Sequence, residues 1–300
     1  MPWNGEGALV AVSRALGGDG AWDSVLSADG FAAVRSVGFE PAGQVFGTAV
    51  YYLSASAGVS CPGTAARHLA HDPGPEAPER SLVTLSGHGI PGPAARIAQA
   101  LYAGRRTAID RMTAECAELG GHGIVGVSLQ VKEVPAGSFD PGAAEFTVIG
   151  TAMQARGCPP LARPLTTDLT AEDFAKLLMA GWVPAGIALG ISVAGLHDDL
   201  LTTRSGPWGT QNAEVPAYTE LMVQARQDAR SRLEEAVAGL GADGVVVSAM
   251  TLHVRSDACQ AHPGGTDHFA QAVTTGTAVA QFADRRTTAL PPGLVVLKLG

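Results

Sequence analysis

Residues 27–47 and 170–190 of this chain align without a gap. Phe31 falls on Phe174, Gly38 on Gly181, Phe39 on Trp182, Pro41 on Pro184, and Gly43 and Gly47 on Gly186 and Gly190. Two more blocks repeat in the same order: residues 119–126 match 240–247, and residues 145–153 match 271–279. A period near half the chain sets the architecture before any local reading. The partners stand 143, then 121, then 126 residues apart. Copy one therefore holds about 22 extra residues between its first two blocks, and copy two about 5 between its last two. Insertions of that kind belong in surface loops. A residue present in both copies reads as structural.

Composition narrows the functional classes. Three hundred residues predict about two domains. Charged residues make up 16%, against about a quarter in an ordinary soluble protein, so part of the surface is expected to lie against other subunits. A net charge of −8 argues against nucleic acid as a partner. Cys61, Cys116, Cys158 and Cys259 form no CxxC pair and no disulfide framework. Cys116 aligns with Val237 and reads as a small core residue. The N-terminus lacks a basic leader, which predicts a soluble, cytoplasmic protein. Residues 177–197 carry no charge over nearly a membrane-spanning length. They also contain Gly181, Pro184, Gly186, Gly190 and Gly195, and their counterpart holds Arg35 and Glu40, so no span is expected.

The same element order is legible in each copy. Ser27 and Thr170 are N-cap residues of a short helix, closed by Gly38 or Gly181 in the left-handed C′ position. A strand follows, with Pro41 or Pro184 near its start. Ile97, Leu101, Ala108, Met112, Cys116 and Leu119 recur at helical spacing, as do Met222, Ala225, Ala229, Leu233, Val237 and Leu240. Pro93 and Pro216 precede these long helices and Gly120 and Gly241 end them. Residues 124–131 and 245–254, then 146–153 and 272–279, are β-branched and apolar and predict strands. The fold class is α+β: two tandem units, each a mainly antiparallel sheet covered by one short and one long helix. The boundaries are a tail over 1–23, domain 1 over 24–157, a proline-rich linker over 158–166, domain 2 over 167–284, and a tail with a short strand over 285–300. That last strand is expected to dock on a sheet edge.

The repeated blocks carry a resemblance. Residues 38–47, the long helix running into Leu240-Gly-Ala-Asp-Gly-Val-Val246, and the closing Gly276-Thr-Ala-Val279 resemble the YbjQ-like family, labelled heavy-metal-binding. Copy one ends Gly150-Thr-Ala-Met153 instead. The resemblance implies a small α+β domain that assembles into rings, pentamers being the family's pattern, and it implies no established reaction. Two fused copies depart from the single-domain form.

Four constellations could carry chemistry. Imidazole and thiolate suit zinc or copper, and Cys61 with His68 and His71, or Cys259 with His262 and His268, offer such donors. Both sets lie in loops that differ between the copies. The reading assigns no resident cofactor; if a metal binds, Cys259, His262 and His268 are the chosen ligands. Gly87-His-Gly-Ile-Pro-Gly92 fits a phosphate-binding turn, but Pro91 and Pro93 remove donors such a turn needs. Ser60, Cys61, His68, His71 and Asp72 hold the residue types of a nucleophile and base without rigid support. Arg105 aligns with Arg226, and Arg111 with Arg232, which predicts either a solvated helix face or charges at a subunit interface. Together these readings favour a non-enzymatic, oligomer-forming structural or binding protein whose first partner is itself, in a ring. The loops over 54–92 and 255–269 are the expected contact surfaces for a further protein partner. A metal-binding or metal-responsive protein is the alternative.

Overall fold

A computed structural model of the chain describes residues 26–53, 84–85, 93–134, 143–159, 161, 163–198, 214–259, 264–282 and 297–298. Two nine-residue helices, α1 (Ala28–Ser36) and α3 (Ala171–Met179), open the two repeats. The Ser27 hydroxyl accepts from the Gly30 amide at 2.9 Å, and the Thr170 hydroxyl from the Asp173 amide at 3.2 Å. Both helices close at a glycine of positive φ, Gly38 at 89° and Gly181 at 85°. The strands β1 (Phe39–Tyr52) and β6 (Trp182–Asp198) follow. Each carries the same fault: the pairing register slips between Pro41 and Gly43, and between Pro184 and Gly186. Proline has no amide to donate, so the ladder breaks there in both copies.

The long helices are α2 (Pro93–Glu118) and α4 (Pro216–Gly239). Each leads into a β-hairpin: β3 (Gly123–Val134) with β4 (Ala143–Ala155), and β7 (Gly244–Ala258) with β8 (Thr266–Gln281). Three two-residue strands complete the sheets: β2 (Thr84–Leu85), β5 (Leu165–Thr166) and β9 (Leu297–Lys298). The sheet orders are β1-β4-β3-β5 and β2-β6-β8-β7-β9. All pairings are antiparallel except β3 with β5. The α+β duplication read from the sequence is the architecture observed. The terminal strand docks on an edge of its own chain, Leu297 opposite Val245 and Lys298 opposite Gly244.

One contact fixes each long helix on its sheet. A β-carbon added at Gly47 would lie 2.0 Å from the Ala108 carbonyl oxygen, and one at Gly190 would lie 1.9 Å from that of Ala229. Only glycine lets strand and helix backbones meet so closely. The helix faces read from periodicity are buried in both copies, with three corrections: Met222 and Leu240 are only half-buried, Leu221 taking the buried place beside Met222, and Leu119 is 41% exposed. Leu119 follows the last residue of α2, where the chain turns away through Gly120.

The second repeat has buried clusters of its own, around Leu221 and around Leu233 and Val237, but the first repeat does not close its interior alone. The first repeat's core around Leu101, Met112 and Phe146 continues into Ile191, Val193, Phe269 and Val273 of the second. Strands cross as well. β2, from the insertion of copy one, pairs with β6, while β5, from the start of copy two, pairs with β3. Beyond β5 the chain stays attached, the Val127 amide donating to Thr167 and the Gly126 amide to Leu169. The linker read from prolines at 158–166 therefore ends as a strand of the neighbouring sheet.

The junction exposes a duplicated seat. In copy one, Leu26, Val34, Val37, Phe39, Val125 and Met153 pack together, joined by Ala171, Phe174 and Leu178 of the second repeat. In copy two the six equivalent residues, Leu169, Leu177, Ala180, Trp182, Val246 and Val279, form a cluster of their own. Phe174 sits edge-on against Phe39 at 5.4 Å and is buried. Phe31, expected in the core like its counterpart, is only half-buried, with the Arg35 guanidinium over its ring at 5.5 Å. Among the described residues no helix is long and apolar enough to cross a membrane. The uncharged run over 177–197 is the end of α3 followed by β6.

Candidate functional site

The end of the β7–β8 hairpin gathers three metal-type donors. Strand alternation sets which side chains share a face. Asp267 is registered against His197 on one side and Asp257 on the other. Cys259 lies two residues beyond Asp257, on the same face, and its amide donates to the Gly265 carbonyl at 2.9 Å. The donor atoms of His197, Cys259 and Asp267 all fall within 4.8 Å of one another. His197 Nδ1 stands 2.7 Å from Asp267 Oδ1. Cys259 and Asp267 are buried, and the His197 side chain is 6% exposed. Thiolate, imidazole and carboxylate are the donor types that zinc takes at about 2.0–2.3 Å. An ion here would displace the proton shared by His197 and Asp267.

His268, a sequence candidate, lies on the opposite face. Its Nδ1 pairs with the Ser256 hydroxyl at 2.7 Å and its Nε2 with the Tyr218 hydroxyl at 3.1 Å. One residue along a strand reverses the side chain, so Cys259 and His268 are not brought together. His262, the cluster of Cys61, His68 and His71, and the turn at 87–92 lie outside the described residues. So do Ser60, Asp72 and the N-terminal tail. Sequence reading missed His197 and Asp267. They lie 70 residues apart, and only the β6–β8 register joins them.

The paired arginines divide. Arg111 donates to the Thr48 carbonyl of its own repeat. Arg232 is held by Asp228 at 2.8 Å. The Tyr102 hydroxyl of the first repeat accepts from the Ile191 amide at 2.8 Å, which ties α2 to β6. Arg226 is exposed. Arg105, its counterpart, is 4% exposed, donates to the Leu101 carbonyl at 3.2 Å, and lies over the Phe146 ring at 5.4 Å. Its Nε has no hydrogen-bond partner among the described residues. Burial pulls its pKa down to about 10, which still leaves it charged at neutral pH. The Cys116 thiol, packed between α2 and the sheet, is pushed up to about 11 by burial and stays protonated.

Comparison with known proteins agrees with the duplication. The family described as "Putative heavy-metal-binding" (YbjQ-like) matches residues 87–156 and again residues 209–281, once in each repeat. The chain is 27% identical over 247 residues to a protein named encapsulin nanocompartment protein Rv1762c, from Mycobacterium tuberculosis (strain ATCC 25618 / H37Rv). That similarity covers 79% of this chain and 80% of the relative. No solved structure matches the chain.

Proposed function

For a chain that carries two YbjQ-like domains in tandem, we propose a non-enzymatic role as a self-assembling structural protein, its chains joined head to tail into a ring. The duplicated seat carries this reading. Within the chain, α3 donates Ala171, Phe174 and Leu178 to the first repeat's cluster. The equivalent donor surface of copy one is Ala28, Phe31 and Arg35 on α1, and the equivalent receiver is the cluster around Trp182 and Val246. The six receiver residues are already buried within the chain, so in the ring the α1 surface of a second copy takes that place by displacement. Head-to-tail contacts of this kind close into rings when the rotation allows. The strand seat on Gly244 and Val245, where β9 now pairs, is the counterpart of the seat on Gly123 and Ile124 that takes β5. Joining therefore exchanges β9 for the entering segment of the next chain. The relative's name, an encapsulin nanocompartment protein, supports a role in assembly.

Light scattering on the purified chain tests this. The expected particle is a multiple of 30.5 kDa, and Phe31→Asp reduces it toward that mass. A 30.5 kDa particle at every concentration defeats the proposal.

A metal-binding role is the second reading, favoured by the His197, Cys259 and Asp267 cluster. Calorimetric titration with zinc is expected to give one ion per chain, with binding weakened at least tenfold in Cys259→Ala and His197→Ala. Stoichiometric binding that survives both substitutions places the ion elsewhere, and no binding at all removes this reading.

A further inference from the structure

A cavity of about 930 Å³ lies between the two repeats, with α2 and β3 on one side and β6, β7 and β8 on the other. Its walls are mostly apolar, with Val127, Leu129, Val193, Phe269 and Val273 among them. Two arginines line it. Arg255 is exposed, lies over Phe269 at 5.4 Å, and stands 3.5 Å from Asp257. Arg105 is buried, and no carboxylate among the described residues pairs with it. The carboxylate that also lines the cavity, Asp168, takes hydrogen bonds from the Ser248 and Thr277 hydroxyls.

A buried guanidinium with one carbonyl acceptor, one ring face and an unpaired Nε lacks the counter-charge that such burial normally requires. Its counterpart Arg226 is exposed and has no such need. The difference comes from the junction, which places Val193 and Phe269 of the second repeat beside α2 of the first. Ligand pockets of this size are apolar cavities with a few polar groups that fix orientation. We propose that this cavity binds a small amphipathic carboxylate, its apolar body along Val127, Leu129, Phe269 and Val273 and its charged end paired with Arg105. The proposal rests on neither the head-to-tail contact nor the His197 cluster.

Calorimetric titration of the full chain with decanoate, against 1-decanol of equal length, tests the proposal. Decanoate is expected to saturate at one per chain and to bind at least tenfold more tightly than the alcohol. Arg105→Met abolishes that preference, Arg105→Lys retains part of it, and Arg226→Met leaves it intact. Decyl phosphate in a third arm separates carboxylate recognition from general anion binding, and a tighter phosphate overturns the carboxylate assignment. Because Arg105→Met removes an unpaired buried cation, its melting temperature is expected to equal or exceed that of the unaltered chain. Equal binding of decanoate and decanol, or uptake that never saturates, overturns the proposal even where the methionine variant fails to fold.

Discussion

Phe31 and Phe174 hold the same place in their repeats and different places in the molecule. Phe174, on α3, is buried against Phe39, Val125 and Met153, whereas Phe31 is half-buried beneath Arg35. Phe174→Ala is expected to lower stability by about 3–5 kcal/mol, and Phe31→Ala by roughly 1 kcal/mol, as the smaller buried area requires. Urea denaturation of the two variants checks this, and equal losses would contradict the asymmetry. The sequence alignment made both aromatics core residues because it compares a repeat with its copy. It contains nothing about which copy the other one covers. Cys116 was legible, since its counterpart Val237 already marked the site as apolar. Arg105 was legible as a shared position, but its burial was not, because the second repeat creates it.

At the scale of elements, backbone approach decides more than side-chain identity. Gly47 and Gly190 let β1 and β6 meet the carbonyls of Ala108 and Ala229, atoms that cannot retreat without breaking a helix. Gly47→Ala and Gly190→Ala are each expected to cost about 1–3 kcal/mol or more. Gly239→Ala, where a new β-carbon meets nothing within 4 Å, leaves stability unchanged or raises it. Thermal melts of the three variants give the comparison, and a tolerated Gly47→Ala would refute the close packing. The copies also solve one packing problem differently. Gly104 of α2 leaves room for the Phe146 ring, while at the same places copy two has Ala225 and Ala272. Strand alternation explains the metal-type residues too. Asp267 and His268 are neighbours in sequence on opposite faces, so the hairpin keeps Cys259 with one and away from the other.

The whole molecule unites what the sequence divides. Core residues of both repeats merge, β2 and β5 cross between the halves, and Tyr102 bonds the Ile191 amide. The chain is therefore expected to unfold in one cooperative transition, with van't Hoff and calorimetric enthalpies agreeing. Two resolved transitions in scanning calorimetry would mean that the repeats are energetically separate. The duplication, the short-helix caps, the glycine turns and the order of elements along each copy were determined by the sequence alone, because each rests on residues near one another in the chain and each is written twice. Tertiary structure decided the crossed strands, the shared core, the buried Arg105 and the meeting of His197 with Cys259 and Asp267. Those depend on register and docking between segments far apart in the chain, where burial is set by the neighbour that arrives and not by the residue that waits.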